Sequence, residues 1–136
     1  MAKIKILIVE DDSISRELLS DFLADLGDVE VAAHGKEAIS AVEKTLESGR
    51  PYDLICLDIM MPEVDGLAVL KTIREMERRK GLHSGNRSKV IMTSALSEKA
   101  VVIAAAQADC DAYLVKPLTH TLLFAKIREV GLPVSE

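Results

Sequence analysis

Acidic residues follow two short apolar runs of the chain, and a lysine follows a third. Residues 4–9 lead into Glu10, Asp11 and Asp12, residues 53–57 into Asp58, and residues 111–115 into Lys116. Carboxylates that lie together repel one another, so a cation, protons or water must offset their charge. Carboxylate oxygens without nearby His or Cys ligands favour Mg²⁺, with Mn²⁺ as the alternative, over zinc. Because Mg²⁺ is commonly held by one or two carboxylates and a phosphate oxygen, the pattern predicts a phosphoryl-transfer site.

The elements that must position these residues follow from hydrophobic periodicity. Five apolar, β-branched runs alternate with five helical patterns, which predicts an α/β fold with a doubly wound parallel sheet. The predicted strands are 4–9, 29–33, 54–57, 90–93 and 112–115, and the predicted helices are 13–26, 36–47, 67–79, 98–109 and 119–130. Ligands of such sheets bind beyond the carboxyl ends of the strands. The acids, Lys116 and Ser94 at the end of the fourth strand are therefore expected to converge.

Two expectations concern the first helix, which follows the acidic residues directly. Ser13 is the predicted N-cap, and Asp12 is expected to begin or cap the helix rather than to bind metal. The predicted inner face is a stripe at spacings of four: Ile14, Leu18, Phe22 and Leu26, with Leu19 and Leu23 beside it. Such a stripe is typical of a helix that packs against a core.

Size and charge limit the function classes. A chain of 136 residues with 49% apolar and 29% charged residues indicates one globular domain, 1–136. The six residues 131–136 are expected to form a short tail, with no output domain. A net charge of -5 argues against direct nucleic-acid binding. The basic group Arg78-Arg79-Lys80, next to Glu75 and Glu77, is interpreted as a solvated helix end.

The chain also carries signs of its compartment. It has no apolar segment near the ~20 residues that span a bilayer, and it begins in a strand without a cleavable signal. Cys56 and Cys110 lie in or just before apolar strands and have no metal-binding spacing, so we expect buried, reduced thiols. These features predict a cytoplasmic protein with no membrane contact.

Four short motifs at the strand ends resemble one known family. They are ILIVEDD (6–12), DIMMPEVDG (58–66), SA (94–95) and YLVKP (113–117). In this order they closely resemble the receiver domain of two-component response regulators, of the stand-alone kind found among chemotaxis and sporulation receivers. The resemblance covers nearly the whole chain. It implies a flavodoxin-like (βα)5 three-layer sandwich whose parallel sheet has strand order 2-1-3-4-5.

The resemblance also implies a role for each acidic residue of the motifs. Asp58 would be the phosphoacceptor, which takes a phosphoryl group from a phosphohistidine to form an acyl phosphate. Asp11 and Asp58 would bind Mg²⁺ directly, and the backbone carbonyl of Met60 would add a third protein ligand. Glu10 would act largely through a bound water. The family carries either Asp or Glu at that last position.

The remaining motif residues would read out phosphorylation. Lys116 would contact the phosphoryl group, and Pro117 would hold the peptide after it, commonly as a cis bond. Ser94 would be the switch hydroxyl; Thr93 is a rival by residue type, but the Ser-Ala pair favours Ser94. Tyr113 would be the coupled aromatic residue, which turns inward when the loop before the fourth helix moves.

The implied function is phosphorelay signal transduction rather than turnover as an enzyme. The phosphodonor would be a sensor histidine kinase or a histidine phosphotransfer protein. Phosphorylation would shift the population of two states and change the face of helix four, strand five and helix five, where a downstream target binds. The domain would act as a monomer or as a phosphorylation-dependent dimer through helices four and five.

Three other functions compete with this one, and particular residues or an experiment distinguish them. A haloacid dehalogenase-type phosphohydrolase would need Asp first in a D-x-D pair after strand one, where this chain has Glu10. A flavin binder would need a Ser/Thr/Gly phosphate loop and stacking aromatic rings, whereas the chain has acids there and only 3% aromatic residues. A receiver that binds proteins without being phosphorylated would retain the same residues, so only labelling of Asp58 tests it.

Overall fold

The fold is known from a computed structural model, which describes residues 3–61 and 65–134. Strands and helices alternate in these ranges, as predicted. They are β1 (Ile4–Val9), α1 (Ser13–Leu23), β2 (Gly27–Ala32), α2 (Gly35–Ser48), β3 (Leu54–Asp58), α3 (Gly66–Arg79), β4 (Lys89–Ser94), α4 (Lys99–Gln107), β5 (Ala112–Val115) and α5 (His120–Glu129). Pro62, Glu63 and Val64 of the second motif and residues 135–136 of the predicted tail lie outside the described residues. No helix within the described ranges combines the length and apolarity that crossing a membrane requires.

The strands form one parallel sheet in the order β2-β1-β3-β4-β5, which confirms the predicted topology. The order reverses between β1 and β3, where Val9 pairs with Leu57. The three inner strands are almost entirely buried, which explains why their sequences are continuous apolar runs rather than alternating ones. The carboxyl ends of β1 and β3 therefore lie side by side at the switch point of the sheet.

Two apolar cores cover the two faces of the sheet and make a three-layer sandwich. On one face, Leu57 and Met92 pack with residues of α2, α3 and α4, including Val42 and Ile73. On the other face, strand residues such as Ile6 pack with α1 and α5. Successive strand side chains alternate between the two faces, so each short strand contributes to both cores.

Helix α1 departs from the prediction in its cap and in its buried face. The side chain of Asp12 accepts a hydrogen bond from the backbone N–H of Ser15 at 2.9 Å, so Asp12 and not Ser13 is the N-cap. Leu19 is buried, but Ile14 is 77% exposed and Leu18 is 44% exposed. The first part of the predicted inner face is therefore exposed to solvent. The prediction was wrong there because an apolar stripe in the sequence does not show whether another element covers it.

Candidate metal centre

Four of the predicted site residues lie at or just beyond the carboxyl ends of the strands. Glu10 follows β1, Asp58 ends β3, Ser94 ends β4 and Lys116 follows β5. Glu10, Asp58 and Ser94 are buried, whereas Asp11 is exposed. Parallel strands deliver these side chains to one edge of the sheet even though the residues are far apart in the sequence.

Close packing of α3 helps to shape this edge. The backbone N–H of Gly66, the first residue of α3, donates to the carbonyl of Ile59 at 2.9 Å. A Cβ at Gly66 would collide with the backbone carbonyl of Asp58. Glycine is therefore required where the helix start meets the end of β3.

The acidic residues meet as the sequence predicts. Glu10, Asp11 and Asp58 each offer a carboxylate oxygen, and these oxygens lie within 4.8 Å of one another. All three donors are hard oxygen ligands, and two of the three side chains are buried. This donor set fits a hard divalent cation rather than zinc, which prefers nitrogen and sulfur ligands. The cluster is thus suited to divalent metal binding.

Lys116 lies closer to Glu10 than to Asp58. Its Nζ donates a hydrogen bond to Glu10 Oε1 at 2.6 Å and lies 3.7 Å from Asp58 Oδ2. Partial burial lowers the pKa of Lys116, but the hydrogen bond to Glu10 and the charges of Asp58 and Glu10 outweigh this effect, so the pKa is raised. The amine therefore stays protonated at the acidic site. The Lys116–Pro117 peptide is cis, as the resemblance implies.

Burial and crowding act together on Asp58. Desolvation raises the pKa of its carboxyl to about 7, helped by a hydrogen bond and charge repulsion from Glu10. The positive charge of Lys116 and a hydrogen bond from the backbone N–H of Met60 to Asp58 Oδ1, at 3.3 Å, act in the opposite direction. A nearby cation would favour the ionised form further. The contact with Met60 is made by its N–H; ligation by the Met60 carbonyl stays a prediction.

The two predicted switch residues contact one loop residue. The Oγ atom of Ser94 accepts a hydrogen bond from the backbone N–H of Leu96 at 3.0 Å, and the hydroxyl of Tyr113 donates to the Leu96 carbonyl at 2.8 Å. Both bonds reach the loop between β4 and α4. Thr93, the rival for Ser94, is buried within β4, and its backbone carbonyl accepts the N–H of Ile59. Ser94 and Tyr113 are thus linked through Leu96.

Sequence reasoning missed one residue at the site, Arg16. Its Nη1 atom donates to the backbone carbonyl of Glu10 at 2.9 Å and lies 3.5 Å from that of Asp11. Side chains in helices point toward the N-terminus, so a basic residue in the first turn after an acidic loop is a signal that could have found it. Asp12, by contrast, caps α1, which confirms the expected position of Asp12 at the start of that helix.

Known proteins resemble this chain in sequence and in structure. A family profile described as "Response regulator receiver domain" matches residues 6–128. The chemotaxis protein CheY of Bacillus subtilis (strain 168) is 36% identical over 113 residues, which make up 83% of this chain and 85% of that protein.

Solved structures give the same result. The receiver domain of the histidine kinase CKI1 from Arabidopsis thaliana, in complex with Mg²⁺ and BeF₃⁻, superimposes with a TM-score of 0.80 at 31% identity, over 93% of this chain and 89% of that one. The structure of the CheX–CheY–BeF₃⁻–Mg²⁺ complex from Borrelia burgdorferi gives a TM-score of 0.82 at 25% identity, over 97% of this chain and 92% of that one. The chain therefore belongs to the receiver-domain family of two-component response regulators and acts in phosphorelay signalling.

Proposed function

We propose that Asp58 is the phosphoacceptor of this receiver domain and that Glu10, Asp11 and Lys116 prepare it for the reaction. The observation that carries the proposal is the convergence of three carboxylates within 4.8 Å, with Lys116 Nζ 3.7 Å from Asp58 Oδ2. A phosphoryl group on Asp58 would bring negatively charged oxygens to a site that already holds a protonated amine.

The reaction is a transfer between two side chains. A carboxylate oxygen of Asp58 attacks the phosphorus of a phosphohistidine, the P–N bond breaks, and its electron pair returns to the imidazole nitrogen. The product is an acyl phosphate on Asp58. Lys116 contacts one phosphoryl oxygen and the hydroxyl of Ser94 donates a hydrogen bond to another, so that both residues respond to the charge that arrives. Because the ionised carboxyl is the nucleophile, groups that lower the pKa of Asp58 favour the transfer.

The carboxylates also suit a metal cofactor. Mg²⁺, with Mn²⁺ as the alternative, would neutralise the crowded carboxylates and the transferring phosphoryl oxygens when bound. The carboxylates of Asp11 and Asp58 and the backbone carbonyl of Met60 would hold it directly, and Glu10 would act largely through a bound water. This set contains only oxygen donors, as Mg²⁺ prefers.

Target binding is proposed on the face formed by α4, β5 and α5, next to the switch residues. The phosphodonor is a sensor histidine kinase or a histidine phosphotransfer protein. Phosphorylation favours the state in which Ser94 reaches the phosphoryl group, and the loop held by Tyr113 passes that change to α4 and β5. Ile103 on α4, Val115 on β5 and Leu122 on α5 are exposed and offer apolar contacts for a downstream target.

The experiment replaces Asp58 by Asn. Incubation with acetyl phosphate and Mg²⁺ is expected to add one phosphoryl group to the wild-type protein, measured by intact-protein mass spectrometry, and none to Asp58→Asn. Asp53→Asn is the matched control, because Asp53 precedes the same strand and its carboxylate accepts the N–H of Lys5 at 2.8 Å, far from the acidic site. Persistent labelling of Asp58→Asn would overturn the assignment.

A further inference from the structure

A side chain from the first turn of α1 holds the backbone at the acidic site. Arg16 is half-buried, and its Nη1 contacts the carbonyl oxygens of Glu10 at 2.9 Å and Asp11 at 3.5 Å. We propose that Arg16 is a positioning residue, which holds Asp11 in the direction that a divalent cation requires. The inference rests on the proposed function, because it assigns Arg16 a role at that same site.

The two carbonyl groups belong to the two peptide units that flank Asp11. The Glu10 carbonyl is part of the peptide before Asp11, and the Asp11 carbonyl is part of the peptide after it. Each unit is planar, so holding both of them restricts φ and ψ of Asp11 together. These two angles set the direction of the Cα–Cβ bond. Arg16 therefore fixes the direction in which the Asp11 side chain leaves the backbone.

Asp11 depends on such support more than the other two acids. Glu10 and Asp58 are only 1% and 3% exposed, and each also contacts Lys116, so packing and charge hold their side chains. Asp11 is exposed, and among the described residues its carboxylate takes part in no hydrogen bond. The backbone therefore sets the direction in which this side chain leaves the chain. Arg16 holds that backbone at the carbonyls of Glu10 and Asp11, and Glu10 Oε2 accepts the N–H of Asp12 at 3.2 Å.

An arginine suits this role by reach and by charge. Helical side chains point toward the N-terminus, which brings Arg16 back over residues that precede α1. The guanidinium is a charged donor, and hydrogen bonds from charged donors are stronger than those from neutral ones. A lysine at this position would keep the charge, but its amine lies one bond closer to the backbone and lacks the planar fork.

The experiment measures Mg²⁺ affinity by titration calorimetry at constant ionic strength, with wild type, Arg16→Met, Arg16→Lys and Arg79→Met. Arg79 is exposed and pairs with Glu75 on α3, so Arg79→Met removes one positive charge far from the site. Loss of a residue that orients a metal ligand commonly weakens metal binding 10- to 100-fold. We expect roughly tenfold weaker binding for Arg16→Met, a loss of at least about fivefold for Arg16→Lys, and wild-type affinity for Arg79→Met.

The variants separate positioning from two simpler roles. If Arg16 only stabilised the fold, Arg16→Met would lower the thermal unfolding midpoint in EDTA but bind Mg²⁺ with unchanged affinity, and the proposal would be wrong. If Arg16 acted only through its charge, Arg16→Lys would bind as wild type does, which would also overturn it. Faster amide hydrogen exchange at Asp11 and Asp12 in metal-free Arg16→Met would support the positioning role.

Failure of this inference is distinguishable from failure of the proposed function. A wild-type protein that binds no Mg²⁺ would overturn both. A wild-type protein that binds Mg²⁺, together with an Asp11→Asn variant that binds it weakly and an Arg16→Met variant that binds it normally, would overturn the role of Arg16 alone. Asp11→Asn thus serves as the reference for loss of a direct ligand.

Discussion

Two groups of charged side chains lie at opposite ends of the same sheet, and their charges are matched to different degrees. At the carboxyl ends of the strands, the acidic site brings three carboxylates to one ammonium group, that of Lys116, and the guanidinium of Arg16 contacts backbone carbonyl oxygens there rather than a carboxylate. At the amino ends of β4 and β5, a second group brings three carboxylates to two guanidinium groups. This arginine cluster consists of Arg74, Glu77, Arg87, Asp109 and Asp111.

Arg74 is the centre of the arginine cluster and is almost fully buried. Its guanidinium donates to Glu77 Oε1, to Asp111 Oδ2 and to the backbone carbonyl of Ser88, each at 2.8 Å, and to that of Asp109 at 2.9 Å. The backbone N–H of Ser88 and of Val90 donate to the carboxylates of Glu77 and Asp111. Almost every charge here has a protein partner, as buried ions require.

The two ends differ in the direction of their pKa shifts as well. Burial raises the pKa of Asp58 to about 7 at the acidic site, whereas a hydrogen bond from Arg87 lowers the pKa of Asp109 in the arginine cluster. A raised pKa means that the ionised carboxyl is less stable in the protein than in water. The acidic site therefore lacks positive charge that a metal ion can supply, whereas Arg87 already stabilises the ionised carboxyl of Asp109 in the arginine cluster.

The largest expected effect comes from breaking the arginine cluster. Arg74→Met would leave the carboxylates of Glu77 and Asp111 without their main partner, and loss of one member of a buried ion pair costs about 3–5 kcal/mol. We expect the free energy of unfolding, measured by urea denaturation, to fall by about 4 kcal/mol.

Arg79→Met is the control, because the exposed pair of Arg79 with Glu75 should contribute less than about 0.5 kcal/mol. If Arg74→Met were no less stable than Arg79→Met, the arginine cluster would not hold these elements together. Mg²⁺ affinity should be the same in both variants, since the cluster lies at the other end of the sheet.

A smaller effect of opposite sign is expected at the acidic site. In EDTA, Asp58 is protonated below pH 4 in both the folded and the unfolded protein. As the pH rises from about 4 to about 7, the unfolded chain loses this proton while the folded protein keeps it, so stability falls across that window and then levels off. Asp58→Asn abolishes this loss and should be more stable than wild type at pH 8, by on the order of 2 kcal/mol.

Urea denaturation of both proteins at pH 4 and pH 8 measures the difference. The free energies of unfolding of the two proteins should be similar at pH 4, where the wild-type carboxyl is neutral in the folded state. An Asp58→Asn variant that is less stable than wild type at pH 8 would show that the ionised carboxyl is well satisfied in the metal-free fold. The contrast between the two ends of the sheet would then be lost.

Much of the fold and most of the acidic site could be predicted from sequence, since both depend on local patterns. Continuous apolar runs are typical of strands covered on both faces, and in a parallel sheet the residues after such runs must meet at one edge. Glu10, Asp58 and Lys116 are brought together in this way although they come from different parts of the chain. The strand order came from the family resemblance and is confirmed.

The arginine cluster could not be predicted, because its partners, apart from the i,i+3 pair of Arg74 and Glu77, are distant in the sequence. Glu77 was interpreted as part of a solvated helix end, but it is 1% exposed. A charged residue on an apparently polar face looks the same whether it is solvated or paired, and the partner of Arg74, Asp111, lies 37 residues away. The exposure of Ile14 and Leu18 on α1 was missed for a similar reason, since periodicity reports an apolar stripe and not what covers it.

The smallest expected effect separates Asp12 from its two acidic neighbours. Asp12 accepts the N–H of Ser15, which holds its pKa below the ordinary value, so its role is to cap α1. Asp12→Ala should lower the thermal unfolding midpoint by roughly 4 °C, whereas Asp12→Asn, which also caps helices well, should change it little. Neither variant should weaken Mg²⁺ binding measured by calorimetry. Tenfold weaker binding in both would place Asp12 among the ligands, and the contrast between a helix cap and a metal site within three consecutive acids would fail.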